Sequence, residues 1–222
     1  IDPFTTIHNN VEIGEGTWIG SNVTIMEGAR IGKNCNIFPG AVISAIPQDL
    51  KFGGEESLAV IGDNTTVREC VTINRGTKAL GYTKVGNDCL IMATSHIAHD
   101  CVLGNHVIIV NGCGIAGHVE IGDFTVMGGL SAVHQFGKIG KHVMVGGQAG
   151  ISGHLHIADG TKIVAQSGIP NTVKKPEVLM GSPAIPIDDY KKSFVGFRRL
   201  PIILKKLSEL EDKIKTLSKS AE

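Results

Sequence analysis

The chain has 222 residues, 42% of them hydrophobic and 5% aromatic, with 21 Lys+Arg balanced by 21 Asp+Glu. That length can bury a substantial core without metals or disulfides, and the balanced charge argues against nucleic acid or an anionic membrane surface as the main partner. Five cysteines (Cys35, Cys70, Cys89, Cys101 and Cys113) form no CxxC pair, which fits a reducing, cytoplasmic setting; no apolar run or leader pattern marks a stable membrane insertion.

In chain order the first feature is a repeat. Stepping by six from Ile1 gives Ile7, Ile13, Ile19, Ile25, Ile31, Ile37 and Ile43, and the phase holds to Ile169: of 29 positions, 26 are Ile, Val, Leu or Met. Neither a 3.6-residue helix nor a plain alternating strand has this period. A three-sided prism does, with one short strand and one turn per six residues, and three hexads closing a coil of 18. This is the hexapeptide parallel β-helix, an all-β solenoid in which each coil bonds only to its neighbours. A glycine often follows the inward aliphatic (Gly14, Gly20, Gly32, Gly62, Gly86, Gly104, Gly122, Gly140), where a turn needs unusual dihedrals or close backbone approach.

The column is interrupted twice, at Asp49 and Glu55 and again at Ala79. Both interruptions keep the six-residue modulus, so residues 44–60 and 74–84 read as loops thrown from the prism, either binding elements or surface excursions. Residues 1–173 form the β-helix on this reading, and residues 174–222 a linker plus a C-terminal helix. In that helix Leu200, Ile203, Leu207, Leu210, Ile214 and Leu217 alternate spacings of three and four, a short heptad seam that caps the last coil or joins copies of the chain.

Residues 18 apart stack on one edge of adjacent coils, about 4.8 Å apart. His99, Gly117 and Gln135 form one such stack and Asp100, His118 and Phe136 the next, with His134 just before Gln135. An imidazole can take a proton from a hydroxyl near neutral pH if a partner fixes its tautomer, and His99–Asp100 offers that pair where the turn folds the carboxylate back or an adjacent chain supplies one. The backbone N–H of Gly117 can approach a developing oxyanion. Base, orienter and anion donor are the parts of acyl transfer. His96, His99, His118 and His134 form the functional cluster; His8, His106, His142 and His156 read as solvated corner residues. Three imidazoles could also hold zinc, as in hexapeptide carbonic anhydrases. The spacing in "HIAHD" is not a helical ligand pair and no independent metal set accompanies it, so no metal is expected.

The stretches "AIPQDLKFGGEES", "IGDNTTVRECVTINRGT", "SHIAHDCVLGN", "IAGHVEIGDF" and "GGLSAVHQFGKIGKHVMVGG", across residues 6–147, resemble the acyl-carrier-protein-dependent UDP-N-acetylglucosamine O-acyltransferases of lipid A synthesis. The resemblance implies a homotrimeric, left-handed parallel β-helix with active sites between subunits. His99 would be the general base that deprotonates the sugar 3-hydroxyl for attack on a 3-hydroxyacyl thioester, Asp100 its orienter and Gly117 the oxyanion donor. His96, His118, His134 and Gln135 would position substrate. Gln48, Asp49 and Lys51 of "PQDLK" would reach the nucleotide sugar, and Met144 and Gly147 would set the depth of the acyl groove. Acyl carrier protein would deliver the acyl group as a thioester co-substrate, with no cofactor.

Two departures accompany the resemblance. Ile1 is already in phase, so on this reading the family's N-terminal coils would be missing and the first coil would begin uncapped. From about residue 146, "GGQAGISGHLHIADGTKIVAQSGIPNTV", "LMGSPAIP" and "YKKSFVGFRRLP" resemble instead the UDP-3-O-acylglucosamine N-acyltransferases. The expectation is a hybrid, an engineered chimera of an O-acyltransferase body and an N-acyltransferase C-terminus. Arg198 and Arg199 would stand where the first family uses an arginine-rich stretch, and His154 matches a histidine of the second. N-acyltransferase activity and an inactive hybrid scaffold remain open as alternatives.

Overall fold

The computed structural model describes residues 1–219, without the side chains of 216–219, so the Leu217 side chain and residues 220–222 lie outside the described residues. The chain divides into two units, Ile1–Ala184 and Ile185 onward. In the first unit, two- to four-residue strands alternate with turns and stack into three parallel sheets. The first face runs from Thr6–Ile7 to Gly168–Ile169, the second from Glu12–Ile13 to His156–Ile157, and the third from Trp18–Ile19 to Val178–Met180. The unit is a parallel β-helix. That last strand lies inside the stretch read as linker: Val178 and Leu179 pair with Lys162 and Ile163 and continue the third face.

Strand partners are 18 residues apart in undisturbed coils, as in His96↔Gly114 and Ile97↔Ile115. Across the first loop they are 30 apart (Val42↔Thr72) and across the second 24 apart (Thr72↔His96). Each loop therefore inserts whole hexads, which is why the aliphatic phase survives it. Inward aliphatics from Ile19 to Ile169 are buried, each contributing about 1.5–3 kcal/mol of gross transfer free energy before conformational entropy offsets most of it.

A second inward column lies two residues before the first and takes smaller side chains: Val23, Cys35, Ala41, Val71, Cys89, Cys101, Val107 and Cys113. It explains four of the five cysteines. The Cys101 thiol donates to Ala116 O at 3.0 Å and that of Cys113 to Gly128 O at 3.0 Å. Burial pushes the Cys101 thiol up to about 12, so it acts as a small core residue rather than a nucleophile.

The turns divide labour between two positions. A Cβ on Gly122, which follows Ile121, would lie 2.7 Å from the Gly140 carbonyl carbon of the next coil, so this glycine is needed for close approach. The left-handed conformation falls two residues later and is carried by other residues, including Asn34 (φ 53°), Asp100 (φ 57°) and His118 (φ 61°). In the second unit a helix spans Ile187–Lys219, starting upstream of the seam, with Asp188 and Asp189 in its first turn and Pro201 inside it. Among the described residues no helix is long and apolar enough to cross a membrane.

Candidate active site

Both loops leave the prism at the corner between the first and second faces, from strands Val42–Ala45 and Thr72–Asn74. In the next coils that corner carries His99–Asp100, Gly117–His118, Gln135–Phe136 and Gly153–His154. The strand His96–Ile97 sends Ile97 into the core and leaves His96 outward; the ladder then clamps the turn through Ala98 N to Ile115 O (2.9 Å) and His118 N to His99 O (3.0 Å). Repetition of this clamp sets the corner residues one above another.

Asp100 folds back onto its own neighbour. Its side chain is fully buried and its Oδ2 accepts from His99 Nδ1 at 2.8 Å. Thr77 Oγ1 also donates to Oδ2, at 2.7 Å, while the Thr77 and Leu80 N–H groups donate to Oδ1 at 3.0 and 3.1 Å. Burial alone would raise the Asp100 carboxyl; hydrogen bonds from His99, Thr77 and Leu80 outweigh it and hold the group below the usual carboxylate range. An ionised carboxylate only accepts, so the proton sits on His99 Nδ1 and the Nε2 lone pair is left for chemistry. A Cβ on Gly117 would lie 2.7 Å from His99 Nε2, which puts this backbone against the reactive edge of the ring. The Gly117 N–H has no backbone partner among the described residues; the ladder here uses Ala116 N and His118 N instead.

His118 stands edge-on to His99, ring centroids 5.0 Å apart, and stacks flat on Phe136 at 4.4 Å, which stacks in turn on His154 at 4.8 Å. Its Nδ1 is 3.8 Å from Asp100 Oδ2, too far for a hydrogen bond. Burial lowers the His118 imidazole against the opposing pull of Asp100. His96 bonds Thr72 Oγ1 at 2.7 Å, and burial, then the charge of His99, lowers it as well.

A groove of about 770 Å³ starts at this corner and follows the first face. Gly114, Ala132, Gly150 and Gly168 are register partners in successive strands and pave it. With His96 below them and about 4.8 Å per coil, the floor is about 20 Å long. It ends at Pro170, Ser182 and Pro183. Gln48 reaches over from the first loop, and His134 and Gln135 are exposed along its side.

Not every expected residue meets here. Asp49 caps the Lys51 N–H at 2.9 Å and acts electrostatically on His118, but Lys51 is exposed and does not line the groove. Met144 and Gly147 lie away from it: Met144 is on the third face, paired with Val126 and Lys162, and Gly147 follows at the next turn. The sequence reading missed Thr77, Leu80 and Thr83, which surround Asp100. No local pattern marks them, though the small residues at 114, 132, 150 and 168 could have been read as a groove floor from their 18-residue spacing.

His99, Asp100 and His118 bring ligand-type atoms within 4.8 Å of one another, the arrangement a metal would need. Asp100 already accepts four hydrogen bonds, one from the imidazole itself, and a cation there would displace the proton that fixes the dyad. The donor set suits a hydrogen-bonded pair better than a metal cage.

Residues 10–45 and 82–117 match the family described as bacterial transferase hexapeptide (six repeats). Over 95 residues, 42% of this chain and 36% of the relative, the chain is 48% identical to the acyl-[acyl-carrier-protein]–UDP-N-acetylglucosamine O-acyltransferase of Janthinobacterium sp. (strain Marseille). It thus spans about a third of the length of the curated relatives it matches. Among solved structures, LpxA from Acinetobacter baumannii is 35% identical with a TM-score of 0.62, covering 87% of this chain and 74% of that one. The UDP-N-acetylglucosamine acyltransferase of Francisella novicida is 33% identical with a TM-score of 0.64, covering 83% and 68%.

Proposed function

Because the chain belongs to the family of UDP-N-acetylglucosamine acyltransferases, we propose that it moves an (R)-3-hydroxyacyl group from acyl carrier protein to the 3-hydroxyl of UDP-N-acetylglucosamine. One observation carries this reading: a buried, anionic Asp100 holds His99 with its Nε2 turned to a Gly117 backbone that opens on a long, small-residue groove. Nε2 takes the proton of the sugar hydroxyl as its oxygen attacks the thioester carbonyl. Negative charge that develops on the carbonyl oxygen is met by the Gly117 N–H. Collapse of the adduct breaks the carbon–sulfur bond, and the imidazolium returns its proton to the leaving thiolate. Asp100 stays ionised throughout and stabilises the transient cation.

In this reading the groove floor holds the acyl chain, and Gln48, Asp49, Lys51, His96, His118, His134 and Gln135 hold acceptor or carrier. Met144 and Gly147 can bound the acyl groove only from a neighbouring copy, which accords with the homotrimer typical of the resemblance. We place the protein in the cytoplasm, where acyl carrier protein is found and free thiols persist; all five cysteines are unpaired. No metal or other cofactor takes part. The hybrid origin of residues beyond about 146 is also part of the proposal, supported by "GGQAGISGHLHIADG" and "LMGSPAIP", and it makes UDP-3-O-acylglucosamine the competing acceptor. The test is a two-acceptor assay: acyl carrier protein loaded with 3-hydroxyacyl chains, offered UDP-N-acetylglucosamine or the amine-bearing UDP-3-O-acylglucosamine. Preference for the hydroxyl acceptor is expected. Preference for the amine overturns the reading, and binding of UDP-sugar with no turnover of either marks an inactive scaffold.

A further inference from the structure

The second loop holds the carboxylate of Asp100 more firmly than the imidazole does. Of the four hydrogen bonds that Asp100 accepts, two come from Thr77, one from its hydroxyl and one from its N–H. Thr77 is itself buried, 6% exposed. A threonine hydroxyl has a single proton, and here its direction is set: Thr77 Oγ1 accepts from the Ala79 N–H at 3.2 Å, which leaves the proton for Asp100 Oδ2.

The loop that carries Thr77 is fastened at both ends. Gly76 N donates to Leu58 O at 3.1 Å, Ser57 Oγ donates to Gly76 O at 2.6 Å, and Gly81 N donates back to Thr77 O at 2.7 Å. From below, the Thr83 hydroxyl accepts the Asp100 N–H at 2.8 Å. A β-helix corner needs none of this, since neighbouring corners turn without any loop over them. The single hexad inserted between Asn74 and Tyr82 is long enough to reach one carboxylate and saturate it.

We propose that Thr77 is a positioning residue for the transfer reaction: its hydroxyl and N–H hold Asp100 in the orientation that presents Oδ2 to His99 Nδ1. The inference rests on the acyl-transfer reading above. It adds that the loop fixes the tautomer of the base through Asp100, without touching substrate. Thr77→Val removes the hydroxyl at almost constant shape, leaving one carboxylate lone pair unmet in a buried site, and Thr77→Ser keeps the donor.

The experiment measures kcat and KM for both substrates in wild type, Thr77→Val, Thr77→Ser, Asp100→Asn and the Thr77→Val/Asp100→Asn double variant, with melting temperatures to show that each is folded. Thr77→Val is expected to lower kcat about tenfold to a hundredfold with KM for either substrate little changed, and Thr77→Ser to restore most of it. In the Asp100→Asn background Thr77→Val should cost far less than it does alone, since it acts through a carboxylate no longer there. Unchanged kcat in Thr77→Val, a Thr77→Ser variant as impaired as Thr77→Val, or independent losses in the double variant would overturn the inference. If the wild type turns over neither acceptor, the acyl-transfer reading fails while Thr77 is still tested by the ¹⁵N shifts of the His99 ring. Wild type and Thr77→Ser should then share a protonated Nδ1 that Thr77→Val perturbs, and identical ring spectra in all three would overturn the assignment.

Discussion

Two corners of the prism carry the same ladder of side chains at 18-residue steps. Asp100, His118, Phe136 and His154 stand after the first face; Asp88, His106, Phe124 and His142 stand after the second. Their rings stack alike, at 4.4 and 4.8 Å in the first and 4.6 and 5.0 Å in the second. Their chemistry differs because of what lies over and beside them. The second-loop residues Thr77 and Leu80 close over Asp100, whose side chain is fully buried, whereas Asp88 is 41% exposed and stands 4.0 Å from His106. A carboxylate in water at that distance binds an imidazole weakly; one that is buried and saturated fixes it.

The residue before each ladder sharpens the contrast. At the second corner these are Asn87, Asn105 and Asp123, and each side chain caps a backbone N–H of the coil before it: Asn87 Oδ1 accepts from Asp63 N at 2.8 Å, Asn105 Oδ1 from Asn87 N at 2.8 Å, and Asp123 Oδ1 from Asn105 N at 2.9 Å. At the first corner the same positions hold His99, Gly117 and Gln135, and the Gly117 N–H goes uncapped. The first corner thus sets a free backbone donor beside a fixed imidazole, where the second caps Asp63, Asn87 and Asn105 in turn.

Breaking the corner proposed as active should cost most where the proposed base is removed. His99→Ala is expected to lower acyl transfer by about a hundredfold to ten-thousandfold in a steady-state assay, while His106→Ala at the matching corner retains wild-type turnover. Gly117→Ala comes next. Its Cβ would meet the His99 ring 2.7 Å away and displace it, for a loss of about a hundredfold in kcat with the fold intact by circular dichroism.

A subtler change imports the second corner's chemistry into the first. Gln135→Asn gives the Gly117 N–H a cap of the kind Asp123 provides to Asn105, and should lower kcat by tens to about a hundredfold. Gln135→Ala offers no cap and should be the milder variant; the reverse order would argue that Gln135 acts only through substrate contact.

Acidification should reveal the same burial through stability. His96 and His118 are held below their ordinary values, so as pH falls through about 6.5 the unfolded chain binds protons that the folded chain does not, and stability drops until the folded values are reached. Asp100 is lowered, so its contribution persists above about pH 4 and is lost only as pH falls through its folded value. Urea midpoints at pH 7.5 and 5.5 should therefore fall in wild type and fall less in His118→Gln. The smallest effect is expected at the second corner, where Asp88→Asn should change neither turnover nor stability by more than about 0.5 kcal/mol.

The β-helix was legible in the sequence because its hexad modulus survives every interruption, and the stacking of His99 under Gly117 followed from counting 18. The dyad was half legible. Adjacency suggested that Asp100 orients His99, but the saturated carboxylate depends on Thr77 and Leu80, and the sequence separation of 23 between Thr77 and Asp100 carries no pattern that pairs them. The small inner column was hidden because the eye follows isoleucine, while valine, alanine and cysteine spaced six apart look like ordinary composition. Asp88 and Asp100 cannot be ranked from their ladders alone; the difference lies in which corner the loops cover.

The most direct test of that difference is the ¹⁵N spectrum of the histidine rings at neutral pH. The structure predicts His99 in the single Nδ1–H tautomer, with a downfield ring proton from its bond to Asp100, and His106 without one. A predominant Nε2–H form of His99, or the same signature at both residues, would contradict the claim that the loop-covered corner alone has been made into a base.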